Sequence, residues 1–228
     1  MVLAFVSTLV ITAPFGRHTS TSKDAWYWGP KIPATVAWVV MECPSPILVA
    51  CFYFFLGHRP LQWANHILFL LFELHYINRT FVYPLRMKAG TPMHAMVMSQ
   101  AFIFNLLNGF LQGYLVANTE FPEMDYMDMG MFWFGVATFL WGWWKNYEAD
   151  DILRNLRKPG DTVRYKIPRG GAYEWVSSAN YFGECVEWLG WALASRSIAG
   201  WSFAVFTWSN LVPRALSHHK WYLSKFED

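Results

Sequence analysis

The chain has 228 residues, 54% of them hydrophobic and 19% aromatic against 15% charged, too apolar for an ordinary soluble domain and too short for two large ones. A net charge of +2 with no basic stripe argues against a nucleic-acid binder. Fourteen Trp and eleven Tyr suit the interfaces of a bilayer, where amphipathic rings sit at headgroup level.

Windows of about 20 apolar residues, the length that crosses a bilayer as a helix, predict seven spans: 1–14, 33–56, 61–83, 94–116, 130–144, 176–194 and 198–212. The first is read as a membrane helix rather than a signal peptide, because no A-x-A-like cleavage site follows it. Lys and Arg crowd alternate linkers. Arg17, Lys23 and Lys31 follow the first span; Arg79, Arg86 and Lys88 end the third; Arg154, Arg157, Lys158, Arg164, Lys166 and Arg169 follow the fifth; Arg214, Lys220 and Lys225 follow the seventh. The other linkers carry only Arg59 and Arg196. The positive-inside rule then predicts an all-α membrane protein, a seven-transmembrane-helix bundle over 1–228, with the N-terminus outside and the C-terminus cytoplasmic. Cys43, Cys51 and Cys185 share no C-x-x-C spacing, so neither a disulfide framework nor a metal site is expected.

In the second span, A-W-V-V-M-E-C-P-S-P sets Glu42 in an apolar run beside Pro44 and Pro46, which remove backbone donors and are expected to bend or break the helix. Glu42 then either lines a polar pocket or pairs with an Arg of a neighbouring helix. The third span brings His75, Tyr76, Asn78, Arg79 and Tyr83 near its cytoplasmic end, with Tyr76 and Tyr83 two turns apart and so on one face. In the fourth, Asn105, Asn108 and Gln112 form one stripe, either an inward face or interhelical hydrogen bonding, and Gly109 and Gly113 are spaced for close packing.

The densest polar block follows the fifth span. If the helix continues, Asn146, Asp150, Leu153 and Arg157 share a stripe, with Arg154, Arg157 and Lys158 about one turn beyond the acids, until K-P-G ends it. Tyr165 to Gly171 then supplies cations and two adjacent glycines, suited to close approach to a ligand or to acidic headgroups. Asn180, Glu184 and Glu187 share a face of the sixth span, and His218 and Tyr222 a face after the seventh; adjacent His218 and His219 cannot form an i, i+4 metal pair. Ionisable groups at bilayer depth are kept only if paired, solvated or used. The pattern predicts a chamber of carboxylates and amides with Arg and Lys at its cytoplasmic mouth, suited to one ligand bearing phosphate and another arriving from lipid. No G-x-G-x-x-G or P-loop motif is present.

The runs A-W-V-V-M-E-C-P-S, H-Y-I-N-R-T-F-V-Y-P-L, N-G-F-L-Q-G-Y, D-I-L-R-N-L-R-K-P-G, Y-K-I-P-R-G-G, A-N-Y-F-G-E-C-V-E-W-L-G-W-A-L-A-S and R-A-L-S-H-H-K-W-Y-L-S-K-F-E closely resemble the steroid 5α-reductases of the 3-oxo-5α-steroid 4-dehydrogenase family. The resemblance implies NADPH-dependent reduction of the Δ4 double bond of a 3-oxosteroid in a seven-helix bundle. Glu42 and Tyr76 match the catalytic pair that hydrogen-bonds the steroid C3 carbonyl, with Glu42 protonated so that it can donate. Asn146, Asp150, Asn180, Glu184, His218 and Tyr222 match positions around NADPH, and Arg157 with Lys166 those at its phosphates. The implied partners are a steroid-like lipid and the membrane, reticular or bacterial inner, with a monomer expected. Met41 departs from the Gln expected in the mammalian enzymes, Tyr181 from a frequent Phe, and the chain stops at F-E-D without the usual basic, apolar tail. A reductase of an enoyl-CoA or polyprenol, or a non-catalytic sterol-binding membrane protein, are the other readings.

Overall fold

The computed structural model describes residues 28–58, 60–87, 91–121, 125–156 and 165–226. The predicted first span, Arg17, Lys23, Arg59, Lys88, Arg157, Lys158, Arg164 and the K-P-G helix stop lie outside them. The described residues fall into two compact units, one within Ile11–Met124 and one within Asp125–Asp228. They are helical apart from loops and one antiparallel two-residue pair, β1 (Lys31–Ile32) with β2 (Met93–His94).

In the first unit the predicted second span forms α1 (Ala34–Glu42) and α2 (Pro44–Cys51), the latter prolonged by a π turn, Phe52–Leu56. The two prolines interrupt the hydrogen-bond ladder without ending the helical path. Cys43 between the two helices keeps right-handed helical angles, φ −60 and ψ −25. Pro44 has no N–H for the carbonyl of Val40 four residues earlier, and Cys43 Sγ donates to that oxygen at 3.3 Å instead.

The third predicted span is α3 (Trp63–Ile77), a π turn (Asn78–Val82) and α4 (Tyr83–Arg86). That wide turn alters the register of the two tyrosines. Tyr83 packs against Trp38 at 5.0 Å and lies under the Arg79 guanidinium, whereas Tyr76 stacks on Phe72.

The fourth span is α5 (Ala95–Asn118), the scaffold against which α1 and α2 pack. Gly109 and Gly113 permit the approach: a Cβ at Gly109 would sit 2.8 Å from Ser45 Cα, and one at Gly113 2.8 Å from a Phe52 ring carbon. At the other end of α5, Asn65 of α3 donates to the carbonyls of Val116 at 2.8 Å and Thr119 at 2.9 Å.

In the second unit, α6 (Tyr126–Asn155) overruns its predicted span at both ends. Asp125 starts it by accepting from Asp128 N at 2.7 Å. A 3-10 turn (Gly171–Glu174) leads to α7 (Ala179–Ser195), which stops at Arg196 in the left-handed region, φ 50. Ser197 then caps α8 (Ile198–Lys225), accepting from Gly200 N at 2.9 Å. Helices α6 and α7 cross antiparallel through glycines seven residues apart: Gly135 against Ala194, Gly142 against Glu187, Gly183 against Asn146 and Gly190 against Phe139, each lying directly on the partner's backbone.

Among the described residues, one helical run, Ala34–Leu56, is by length and composition apolar enough to cross a bilayer, with a mean hydropathy of 1.8. Helix α7, at 17 residues, is short, and α5 is diluted by amides that point inward. Asn65, His75, Asn105, Asn108, Gln112, Asn146 and Glu187 are buried, while Phe55, Met127 and Ile198 stand at least 80% exposed.

Candidate functional site

Two clusters of the predicted residues form, one in each unit. In the first unit, Glu42 ends α1 half-buried, and Tyr76 lies buried at 3% exposure near the end of α3. Helix α5 meets both. Asn105 Nδ2 donates to Met41 O at 2.8 Å, to its own helix's Ala101 O at 3.2 Å and to Glu42 Oε2 at 3.3 Å, and its Oδ1 accepts from Ser45 Oγ at 2.7 Å. One turn on, Asn108 Nδ2 donates to Tyr76 Oη at 3.3 Å, and Gln112 Nε2 donates to Asn108 Oδ1 at 3.3 Å. The amide stripe that spacing leaves between an inward face and interhelical hydrogen bonding does both: it faces inward, and two of its three members bond the predicted catalytic pair across the helices.

In the second unit, Asn146 Nδ2 donates to Asn180 O at 2.9 Å and Asn180 Nδ2 donates to Asp150 Oδ1 at 3.2 Å, joining α6 to α7. Sequence reasoning passes over Tyr173, an aromatic in a loop with no periodicity to mark it. Its buried hydroxyl lies 3.5 Å from Ala149 O. Burial first, then the Asp150 carboxylate and the phenols of Tyr222 and Tyr181, push its pKa above the ordinary tyrosine value. Those same neighbours place Asp150, Tyr181 and Tyr222 each within electrostatic reach of Tyr173, and His218 tilts against Tyr181 with ring centroids 5.6 Å apart. Glu184 is half-buried one turn beyond Asn180.

Of the predicted cations, the structure gives a partner to Arg154. Arg154 is ion-paired to Asp151 on its own helix rather than held open for an anion, and Arg157 lies outside the described residues. Lys166 is half-buried in the extended stretch after Tyr165, whose ring lies 5.0 Å from that of Trp221. Gly170 and Gly171 serve the turn into the 3-10 segment, at φ 92 and 53, where a side chain would be strained.

The amides and acid around Asn180 suit a nicotinamide nucleotide. Asn146 and Asn180 each use one N–H to hold α6 against α7, which leaves their amide oxygens as acceptors beside the second N–H. Such acceptors, with the Asp150 carboxylate and the tyrosine hydroxyls, match the N–H of a carboxamide and the hydroxyls of a ribose.

A family model described as 3-oxo-5-alpha-steroid 4-dehydrogenase matches residues 91–228. The chain is 44% identical over 230 residues to 3-oxo-5-alpha-steroid 4-dehydrogenase 1 of Bos taurus, covering 100% of this chain and 87% of that protein. It is 43% identical over 215 residues to the Homo sapiens protein of the same name (94% and 81% covered) and 40% identical over 230 residues to steroid 5-alpha-reductase DET2 of Arabidopsis thaliana (96% and 83% covered).

Proposed function

The chain belongs to the 3-oxo-5-alpha-steroid 4-dehydrogenase family, and from that premise we propose that it is an integral-membrane oxidoreductase reducing the Δ4 double bond of a 3-oxosteroid with NADPH. The names of its relatives support the reaction class. The observation that carries the site is the pair of α5 amides, Asn105 bonded to Glu42 and Asn108 to Tyr76, because residues three apart on a helix are neighbours and so direct both side chains to one interior.

NADPH, when bound, supplies the hydride that C5 of the enone accepts. The electrons of the double bond move toward C3, and negative charge gathers on the carbonyl oxygen. Protonated Glu42 and Tyr76 donate to that oxygen as the charge develops, and a proton added at C4 completes the saturated ketone. A donor placed where charge develops is worth about 3 kcal/mol, because it is already oriented before the reaction begins. Asn146, Asp150, Asn180, Glu184, His218 and Tyr222 hold the nicotinamide and ribose in this reading, and Arg157 with Lys166 the phosphates.

The membrane assignment rests on the many large apolar side chains left on the outside, Phe55, Met127 and Ile198 among them, while amides such as Asn105, Asn108 and Asn146 are buried with the apolar core. Seven spans, an outer N-terminus, a cytoplasmic C-terminus, a single domain and a monomer in the reticular or bacterial inner membrane complete the proposal.

The test is turnover by the detergent-purified protein with NADPH. Testosterone and progesterone should yield their 5α-dihydro products. Consumption of NADPH with an enoyl-CoA but with neither steroid would move the substrate elsewhere, and binding of sterol without turnover of any enone would remove the enzyme reading.

A further inference from the structure

We propose that Asn105 is the positioning residue for Glu42, holding Oε2 as an acceptor so that the carboxyl proton resides on Oε1 and that oxygen faces the substrate. The inference rests on the reading of Glu42 as a donor to the C3 carbonyl and says how that donor is aimed.

The orientation of the Asn105 amide is set by its neighbours. Met41 O and Ala101 O are carbonyls and can only accept, so the group facing them at 2.8 and 3.2 Å must be the NH2. The other end, Oδ1, accepts from Ser45 Oγ at 2.7 Å. Glu42 Oε2 lies on the NH2 side, at 3.3 Å from the same nitrogen, and shares one of its two hydrogens with a carbonyl. A carboxyl's carbonyl oxygen accepts a hydrogen bond better than its hydroxyl oxygen, so an N–H directed at Oε2 favours the form of neutral Glu42 that carries its proton on Oε1.

Asn105 itself is anchored independently of Glu42. It is buried at 4% exposure on α5, and Gly109, one turn on, lets that helix lie directly against Ser45. The interruption at Pro44 matters here. It ends α1 at Glu42, so the side chain that carries the acid and the carbonyl of the residue before it are both presented to the same amide. A carboxyl free to rotate would offer either oxygen, and its proton would be directed at the substrate for only part of the time.

The test is a double-mutant cycle in single-turnover reduction of testosterone, using the full chain in detergent. Asn105→Leu, close in volume, should lower the rate by about tenfold, since it removes orientation and leaves the acid in place, with the steroid KM nearly unchanged. In a Glu42→Ala background the same substitution should change the rate by no more than about twofold, because the residue it acts through is gone. A purely structural role would slow both backgrounds alike. If Asn105→Leu cannot be recovered as a monodisperse protein, Asn105→Ser, which shortens the side chain below reach of Glu42, takes its place in the cycle. Equal losses in the two backgrounds, or no loss in the first, would overturn the inference while leaving Glu42 as the donor. An unchanged rate for Glu42→Ala alone would remove the donor assignment, and the role of Asn105 with it.

Discussion

Gly183→Ala should loosen the seam on which the second cluster is built. A Cβ at Gly183 would lie 2.9 Å from Asn146 Cα and 2.9 Å from Gly142 O, with the Asn146 amide nitrogen closer still. All three are backbone atoms, so no rotamer change relieves the contact. Carbon atoms sit comfortably at about 3.5–4 Å, and α7 therefore has to retreat from α6 by roughly 0.5–1 Å, an overpacking that costs about 1–3 kcal/mol. The bonds from Asn146 to Asn180 at 2.9 Å and from Asn180 to Asp150 at 3.2 Å cross the same gap, and stretching them adds about 1 kcal/mol. Thermal unfolding followed by tryptophan fluorescence should show a Tm lower by roughly 5–10 °C, and titration of NADPH fluorescence a Kd raised about tenfold, equivalent to about 1.4 kcal/mol. Gly130→Ala is the matched control, since nothing lies within 4 Å of a Cβ there; on helix propensity it should be neutral or stabilising by up to about 1 kcal/mol. A Gly183→Ala protein that melts with the parent and binds NADPH equally well would refute the claim that this seam positions the amides.

Glu42→Gln should lower kcat by about a hundredfold at unchanged NADPH affinity, since it replaces an acid with a weaker donor at the developing charge; an unchanged kcat removes Glu42 from the chemistry. Ser197→Ala removes the cap on α8 and should cost about 1 kcal/mol in denaturant unfolding, with a null result showing that Gly200 N finds another acceptor. Arg196→Gly should be nearly neutral. It relieves left-handed strain of about 1 kcal/mol and gives up an ion pair to Asp128 at 2.8 Å whose side chains are 42% and 40% exposed, a pair worth at most about 1 kcal/mol. A loss above about 2 kcal/mol would show that this pair ties α6 to the α7–α8 corner more strongly than exposure implies.

Helix positions were legible in the chain because apolar runs of bilayer length announce themselves, and six predicted spans coincide with helices among the described residues. The stripes Asn105, Asn108, Gln112 and Asn146, Asp150 were legible too, since polar residues recurring at helical spacing inside an apolar run fall on a single face of the helix. What each stripe touches was not. Spacing left the α5 amides open between an inward face and interhelical hydrogen bonding, and only the approach of α1 and α3 to that helix decided that Asn105 meets Glu42 and Asn108 meets Tyr76. Arg154 was expected at the mouth of the chamber, and it pairs with Asp151 three residues back on its own helix. Tyr173 carried no periodic signal at all. Gly135 and Gly142, like Gly183 and Gly190, stand seven residues apart in plain sight, yet a glycine records only that something comes close. Local pattern thus determined which segments are helical and which of their faces are polar, because both depend on residues a turn apart. The pairing of those faces depends on contacts between residues 30 to 63 positions distant, and that was decided by how closely the backbones can pack.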